Sequence, residues 1–384
     1  MIVSLTMLFV VAFVSVARLP IGKRSNTIYV GIFLLCSLYL FFEPPVSYDL
    51  YRHYLLLETS KNESLLSMLV NGISAPGISY TNYPVYMVIL KVFSFFPKVV
   101  FPTAIGFGVY ALLYSCVEKT LKNNRIYWIR VFCFVYLLCM VDFRNVSGIR
   151  NVFSVTLFFY ALYKELVEKE NKPLMWMIYI ASCFIHSVCF VFLGLRLILV
   201  VYSNFSKVFI KAMILGSMVF IPYLVQIVPS FIANIPSLQY ALNLFEVYSE
   251  HQQYNSIVVI LRTVTYISVA LLALYFKRYC LKGSKYQSFY NYSVLVLLFS
   301  FSSIYVYNLY DRLQMIVVPI GVVLLAAVLN ELATPRAFCF GTVNKHKKLQ
   351  IGLLTIIVCV SAMMVNFIAS VKGPYTGMNE FFTF

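Results

Sequence analysis

Long apolar stretches alternate with short polar ones along the whole chain. Runs long enough to be spans begin near Ile2, Thr27, Val99, Ile126, Ile149, Met175, Ser187, Val208, Ile257, Phe289, Leu313 and Leu349. A transmembrane helix needs about 20 mostly apolar residues. The pattern therefore predicts an all-α fold: a polytopic membrane helix bundle of about 12 transmembrane helices, forming a single integral membrane domain over residues 1–384. The stretch Val85–Phe96 is apolar but short and contains Lys91, so it reads as an interfacial helix, a re-entrant piece or a span of its own. The run Ile2–Ala17 lacks a preceding basic region and is followed by Arg18, which predicts a first span rather than a signal peptide. The two longest polar stretches, 43–83 and 228–255, are expected to be outer loops, the second carrying Glu246 and Glu250 but no Lys or Arg.

Composition strengthens this picture. Hydrophobic residues make up 61% of the chain and charged residues 11%, against about 25% charged in an ordinary soluble domain. The net charge of +16 would suggest a nucleic-acid partner if it were one patch. Most of it instead lies in short segments between apolar runs, such as Arg18–Arg24, Lys119–Arg125, Lys164–Lys172 and Lys277–Lys285. That is how cytoplasmic loops orient a membrane protein, and no nucleic-acid partner is expected. Placing those loops inside requires Met175–Tyr202 to be a helical hairpin turning near His186 and Ser187. It leaves 23 of the 30 cations and 5 of the 14 acids inside, with 7 cations and 9 acids outside. The nine cysteines have no metal-ligand spacing and read as small buried hydrophobes.

The outer cations change the picture further. They are Arg52, Lys61, Arg144, Arg150, Arg262, Arg312 and Lys372, five of them arginines, although orientation pressure disfavours any cation there. Arg144, Arg150, Arg262 and Arg312 fall at or just inside helix mouths, where ionisable groups are costly and usually line a site. The planar guanidinium fork matches phosphate oxygens two at a time. Arg52, Arg144, Arg150, Arg262 and Arg312 are thus the candidate ligands of a phosphate or diphosphate. The competing reading is headgroup contact, or pairing with Asp142, Asp311 or Glu250. The only aspartates, Asp49, Asp142 and Asp311, also fall on the outer side. Asp49 and His186 are the candidate proton acceptors, with His53, Tyr310 and Asp311 as further site candidates. No clustered carboxylates or metal-binding motif is present, and neither metal nor other cofactor is expected.

Three segments together carry a resemblance: Asp-Leu-Tyr-Arg-His-Tyr (Asp49–Tyr54), Arg-Asn-Val-Ser-Gly-Ile-Arg (Arg144–Arg150) and Ile-Ala-Ser-Cys-Phe-Ile-His-Ser (Ile180–Ser187). In order and spacing the chain resembles the EpsG-like branch of Wzy-type polysaccharide polymerases. Tyr48 stands where that family favours glycine before the aspartate. The resemblance implies a bacterial inner-membrane glycosyltransferase with its active site facing the periplasm. Such an enzyme polymerises undecaprenyl-diphosphate-linked units of O-antigen or capsule. Its expected partners are the lipid-linked glycan donor and acceptor, membrane lipid, and a regulator of chain length. An exporter of lipid-linked oligosaccharide is the alternative, which would favour an internal repeat and mid-membrane charge. A membrane acyltransferase is a further one, with its His and Arg on the cytosolic side.

Overall fold

The computed structural model describes residues 49–75, 78–81, 83–121, 127–140, 149–170, 172–204, 216, 256–279, 281 and 285–333. These fall into two compact units, one holding described residues 49–190 and 325–333, the other 191–324. Nearly every described residue is helical. The exception is a hairpin of two three-residue strands, β1 (Ile73–Ala75) and β2 (Ile78–Tyr80), paired antiparallel with Ile73 opposite Tyr80.

In the first unit, α1 (Asp49–Asn62) buries Leu50, His53, Tyr54, Leu57 and Ser60, spaced three and four apart as one helix face. A short α2 (Leu65–Asn71) starts where the Ser64 hydroxyl accepts the Ser67 N–H. The segment expected as a loop between spans is thus largely folded. Next comes α3 (Pro84–Phe93), opened by Pro84 in its first turn. Ten residues span about 15 Å, half of the roughly 30 Å hydrocarbon core, so α3 is not a span of its own. It packs on α1 and α2. Leu66, Val70, Val92 and Phe95 stay exposed on this layer.

Then follow α4 (Val100–Thr120), α5 (Tyr127–Met140), α6 (Ile149–Tyr163) with a π-turn at Lys164–Glu168, and α7 (Lys172–Cys183). Helix α6 is central to this unit, packing on both α4 and α7. A charged cluster ties their ends together: Lys119 Nζ donates to Glu168 at 2.6 Å, Lys164 Nζ to Glu170 at 2.5 Å, and Arg130 to Glu118.

The helix α8 (Val188–Asn204) begins after a break at Phe184–Ser187, where the sequence predicts a turn. In the second unit, α9 (Ser256–Tyr279) packs on α10 (Gln287–Ser302), and α11 (Tyr307–Ala333) follows a short 3-10 turn. Gly321 lets α11 approach α9, since a Cβ there would stand 2.9 Å from Val269 Cγ2.

Among the described residues, three helical segments are long and apolar enough to cross a bilayer: Val100–Thr120, Val259–Arg278 and Leu309–Glu331. They match the runs expected from Val99, Ile257 and Leu313. The protein is thus a helical membrane protein, as the hydrophobic pattern predicts. The other described runs form helices of 14 (α5), 15 (α6), 12 (α7), 17 (α8) and 16 (α10) described residues. The expected starts at Ile2, Thr27, Val208 and Leu349, and the stretch 228–255, lie outside the described residues.

Two lysines near this layer have defined partners. Lys91 Nζ donates to the carbonyls of Ser60 (2.8 Å), Lys61 (3.3 Å) and Glu63 (2.8 Å), capping the C-terminal end of α1. Lys98 stands 5.5 Å from the Tyr54 ring. The carbonyls left open at the end of α1 thus find a donor 28 to 31 residues further along the chain.

Candidate functional site

The first turn of α1, the β-hairpin, the start of α3 and the start of α6 converge on Arg150. Its guanidinium carbon lies 4.0 Å from the Tyr80 ring centroid, 4.4 Å from Tyr83 and 5.7 Å from Tyr86. Three electron-rich rings hold the cation in place by their quadrupoles. Aromatic rings accept no full hydrogen bond, and Arg150 Nη1 is buried without a hydrogen-bond partner. Such an unmade bond costs about 1–3 kcal/mol, more for a charged group, unless a ligand takes it.

Gly72 makes the cage possible. It sits at φ 80°, and a Cβ there would meet the Tyr80 carbonyl oxygen at 2.6 Å. The strand bearing Tyr80 therefore passes at a distance that only glycine allows. Gly72→Ala is expected to lower stability by about 1–3 kcal/mol and to weaken anion binding with it. Thermal unfolding in detergent, wild type against variant, checks the first part.

Asp49 is the first residue of α1, where the helix dipole favours a carboxylate. Its Oδ2 lies 3.3 Å from His53 Nε2, although that nitrogen is not aligned for a hydrogen bond. Partial burial raises the Asp49 pKa, but His53, Arg150 and Arg52 outweigh it and hold the carboxyl below its usual value. His53 is fully buried, and its Nδ1 lies 2.5 Å from the Tyr86 hydroxyl. Burial pushes the Tyr80 phenol up, so it stays protonated near neutrality. Asp49, His53, Tyr86 and Arg150 thus cluster together, joined by the His53–Tyr86 hydrogen bond and the ring contact of Arg150, with Arg52 on the exposed side of α1.

His186 occupies the break between α7 and α8 and is buried. Its Nδ1 accepts the Val188 N–H at 3.1 Å. In the neutral ring the proton must then sit on Nε2, which makes that nitrogen a donor rather than a base.

In the second unit, Arg262 is buried and its Nε donates to Asp311 Oδ1 at 3.0 Å. The Tyr310 hydroxyl pairs with Thr263 at 2.6 Å, and Tyr266 donates to the Tyr310 carbonyl at 2.5 Å. The competing reading thus holds for part of Arg262: one edge of its fork is engaged by Asp311. Removing one partner of a buried pair costs about 3–5 kcal/mol. Asp311→Ala should therefore destabilise the protein far more than Arg262→Met with Asp311→Leu, as read by thermal unfolding. Arg312 is half-buried beside this pair in sequence. Arg144 and Asp142 lie outside the described residues.

The structure thus gathers Asp49, Arg52, His53 and Arg150 in one unit and Arg262, Tyr310 and Asp311 in the other. Tyr80, Tyr83 and Tyr86 were missed from sequence. In a chain with 30 tyrosines, the spacing 80, 83, 86 gives no signal above background. Among the described residues, no group of three or more His, Cys, Asp or Glu side chains is placed to hold a metal ion.

A family model described as the EpsG family matches residues 48–382, a range that takes in both clusters. No curated protein and no solved structure matches the chain.

Proposed function

Because the chain belongs to the EpsG family, a family of Wzy-like polysaccharide polymerases, we propose that it polymerises lipid-diphosphate-linked oligosaccharide units, with Arg150 receiving the diphosphate. The observation that carries this reading is the buried, unpartnered Nη1 of Arg150 inside its tyrosine cage. A phosphate oxygen supplies the missing acceptor, and Arg52 adds charge from the exposed face of α1.

The lipid carrier is undecaprenyl diphosphate and the site faces the periplasm, in a bundle of about 12 spans. In the reaction an acceptor hydroxyl forms a bond to the anomeric carbon of the donor while the bond from that carbon to the diphosphate oxygen breaks. The diphosphate leaves with the electron pair, stabilised by Arg150 and Arg52. The hydroxyl proton passes to Asp49, which is half-exposed. A carboxylate held low is a weak base. It suffices when glycosyl transfer runs through an oxocarbenium-like transition state, in which the proton leaves late. Tyr86 fixes the His53 ring, and His53, Arg150 and Arg52 keep Asp49 ionised.

Deletion of the gene followed by electrophoresis of the surface glycan tests the function. A polymerase loss leaves single units on the lipid anchor. An exporter loss leaves none at the surface and would overturn this reading.

A further inference from the structure

An apolar groove of about 420 Å³ opens between α3, α4, α6 and α7, all within the first unit. Its wall includes Val85, Ile89, Ala104, Phe153, Ala181 and Ile185, and none of its lining residues is polar. Two of its walls belong to helices that carry the cage. On α6, Phe153 and Leu157 follow Arg150 at three and seven residues, one helix face running about 10 Å from the guanidinium's own helix position. On α3, Val85 and Ile89 flank Tyr86, one ring of the cage. Ala181 on α7 and Ile185 in the break after it complete the wall. Alanine at 104 and 181 keeps the side chains along the wall short.

A sugar would find no hydrogen-bond partner in such a wall, and an unpaired hydroxyl there is costly. A hydrocarbon chain needs none. Helices α3 and α6 thus carry both the ring-caged Arg150, with its buried and unanswered Nη1, and a groove whose lining side chains are all apolar. We propose that the groove seats the hydrocarbon tail of a lipid phosphate or diphosphate whose anionic head is held at Arg150. This rests on the reading of Arg150 as the phosphate ligand, and it assigns the tail to α3, α4, α6 and α7 rather than to the open bilayer.

The test uses the full-length protein in phosphatidylcholine nanodiscs and a polyprenyl monophosphate with a photoreactive group on its tail. Irradiation should label peptides containing Phe153, Leu157 or Ile185. Ala104→Trp and Ala181→Trp should each cut that labelling about tenfold, and Arg150→Ala should do the same by releasing the head. Ala104→Leu and Ala181→Leu, milder fillings, should give a partial loss with unchanged helical circular dichroism, which separates blockage from misfolding. Equal labelling by a phosphatidylglycerol bearing the same group would show that the groove takes any bilayer lipid and would sink the proposal. So would labelling that the filling variants leave unchanged. If the groove labels as expected while gene deletion leaves glycan length unaltered, the polymerase reading fails and the lipid phosphate site stands.

Discussion

Arg150→Lys is expected to shorten the surface glycan to a few units, with a rate loss of about 10²–10³-fold, the usual cost of removing one donor from a charge-stabilising site. Lysine keeps the charge and can still sit among Tyr80, Tyr83 and Tyr86. What it loses is the fork: Arg150 presents its guanidinium carbon 4.0 Å and 4.4 Å from two rings while Nη1 points to a place with no protein acceptor. An ammonium cannot stack on a ring and donate two parallel bonds to a phosphate at once. Glycan ladders compared at equal membrane protein level give the readout. A normal ladder from Arg150→Lys would mean that the fork is irrelevant and that Nη1 serves no diphosphate. Arg262→Lys should also lose most polymerisation, by a different route, because the Nε–H that engages Asp311 disappears with the guanidinium.

The second large effect is expected at Asp49. Asp49→Asn removes the proton acceptor and also the charge beside His53, Arg52 and Arg150, and should cost about 10²–10⁴-fold in chain extension. His186→Ala should cost far less, because Nδ1 of His186 accepts the Val188 N–H and Nε2 carries the proton. The reverse outcome, a normal ladder from Asp49→Asn and none from His186→Ala, would make the histidine the base. The pH dependence separates them independently. The Asp49 carboxyl titrates below its ordinary value of 3.8. Its ionised form, and the stabilisation that form provides, are therefore present above that value and lost as pH falls through the depressed folded pKa. Polymerisation by purified protein should then hold its rate down to about pH 5. A fall centred near 6.5, the ordinary histidine range, would assign the step to a histidine instead.

The hydrophobic pattern alone determined the class of fold, because apolar runs of about 20 residues have few places to go except a bilayer, and the three long spans lie where it puts them. It also determined which residues to suspect, since an arginine at a helix mouth is costly enough to stand out in a chain with so few charges. Single-sequence reading did not resolve the segment from Asp49 to Tyr80. There α1 shows its helical spacing through His53 and Ser60 as well as leucines, and polar residues on a buried face blur the period. Nor did it reveal that Lys91 serves the carbonyls at the end of α1, because that contact joins residues 28 to 31 apart. Tertiary structure alone decided which arginine is available. Arg150 and Arg262 look alike as letters near helix starts. Packing gives Arg262 a carboxylate partner in Asp311, 49 residues away, and surrounds Arg150 with three rings that hold its charge yet leave one of its N–H groups unanswered. That difference arises from contacts between distant parts of the chain, and no local spacing encodes it.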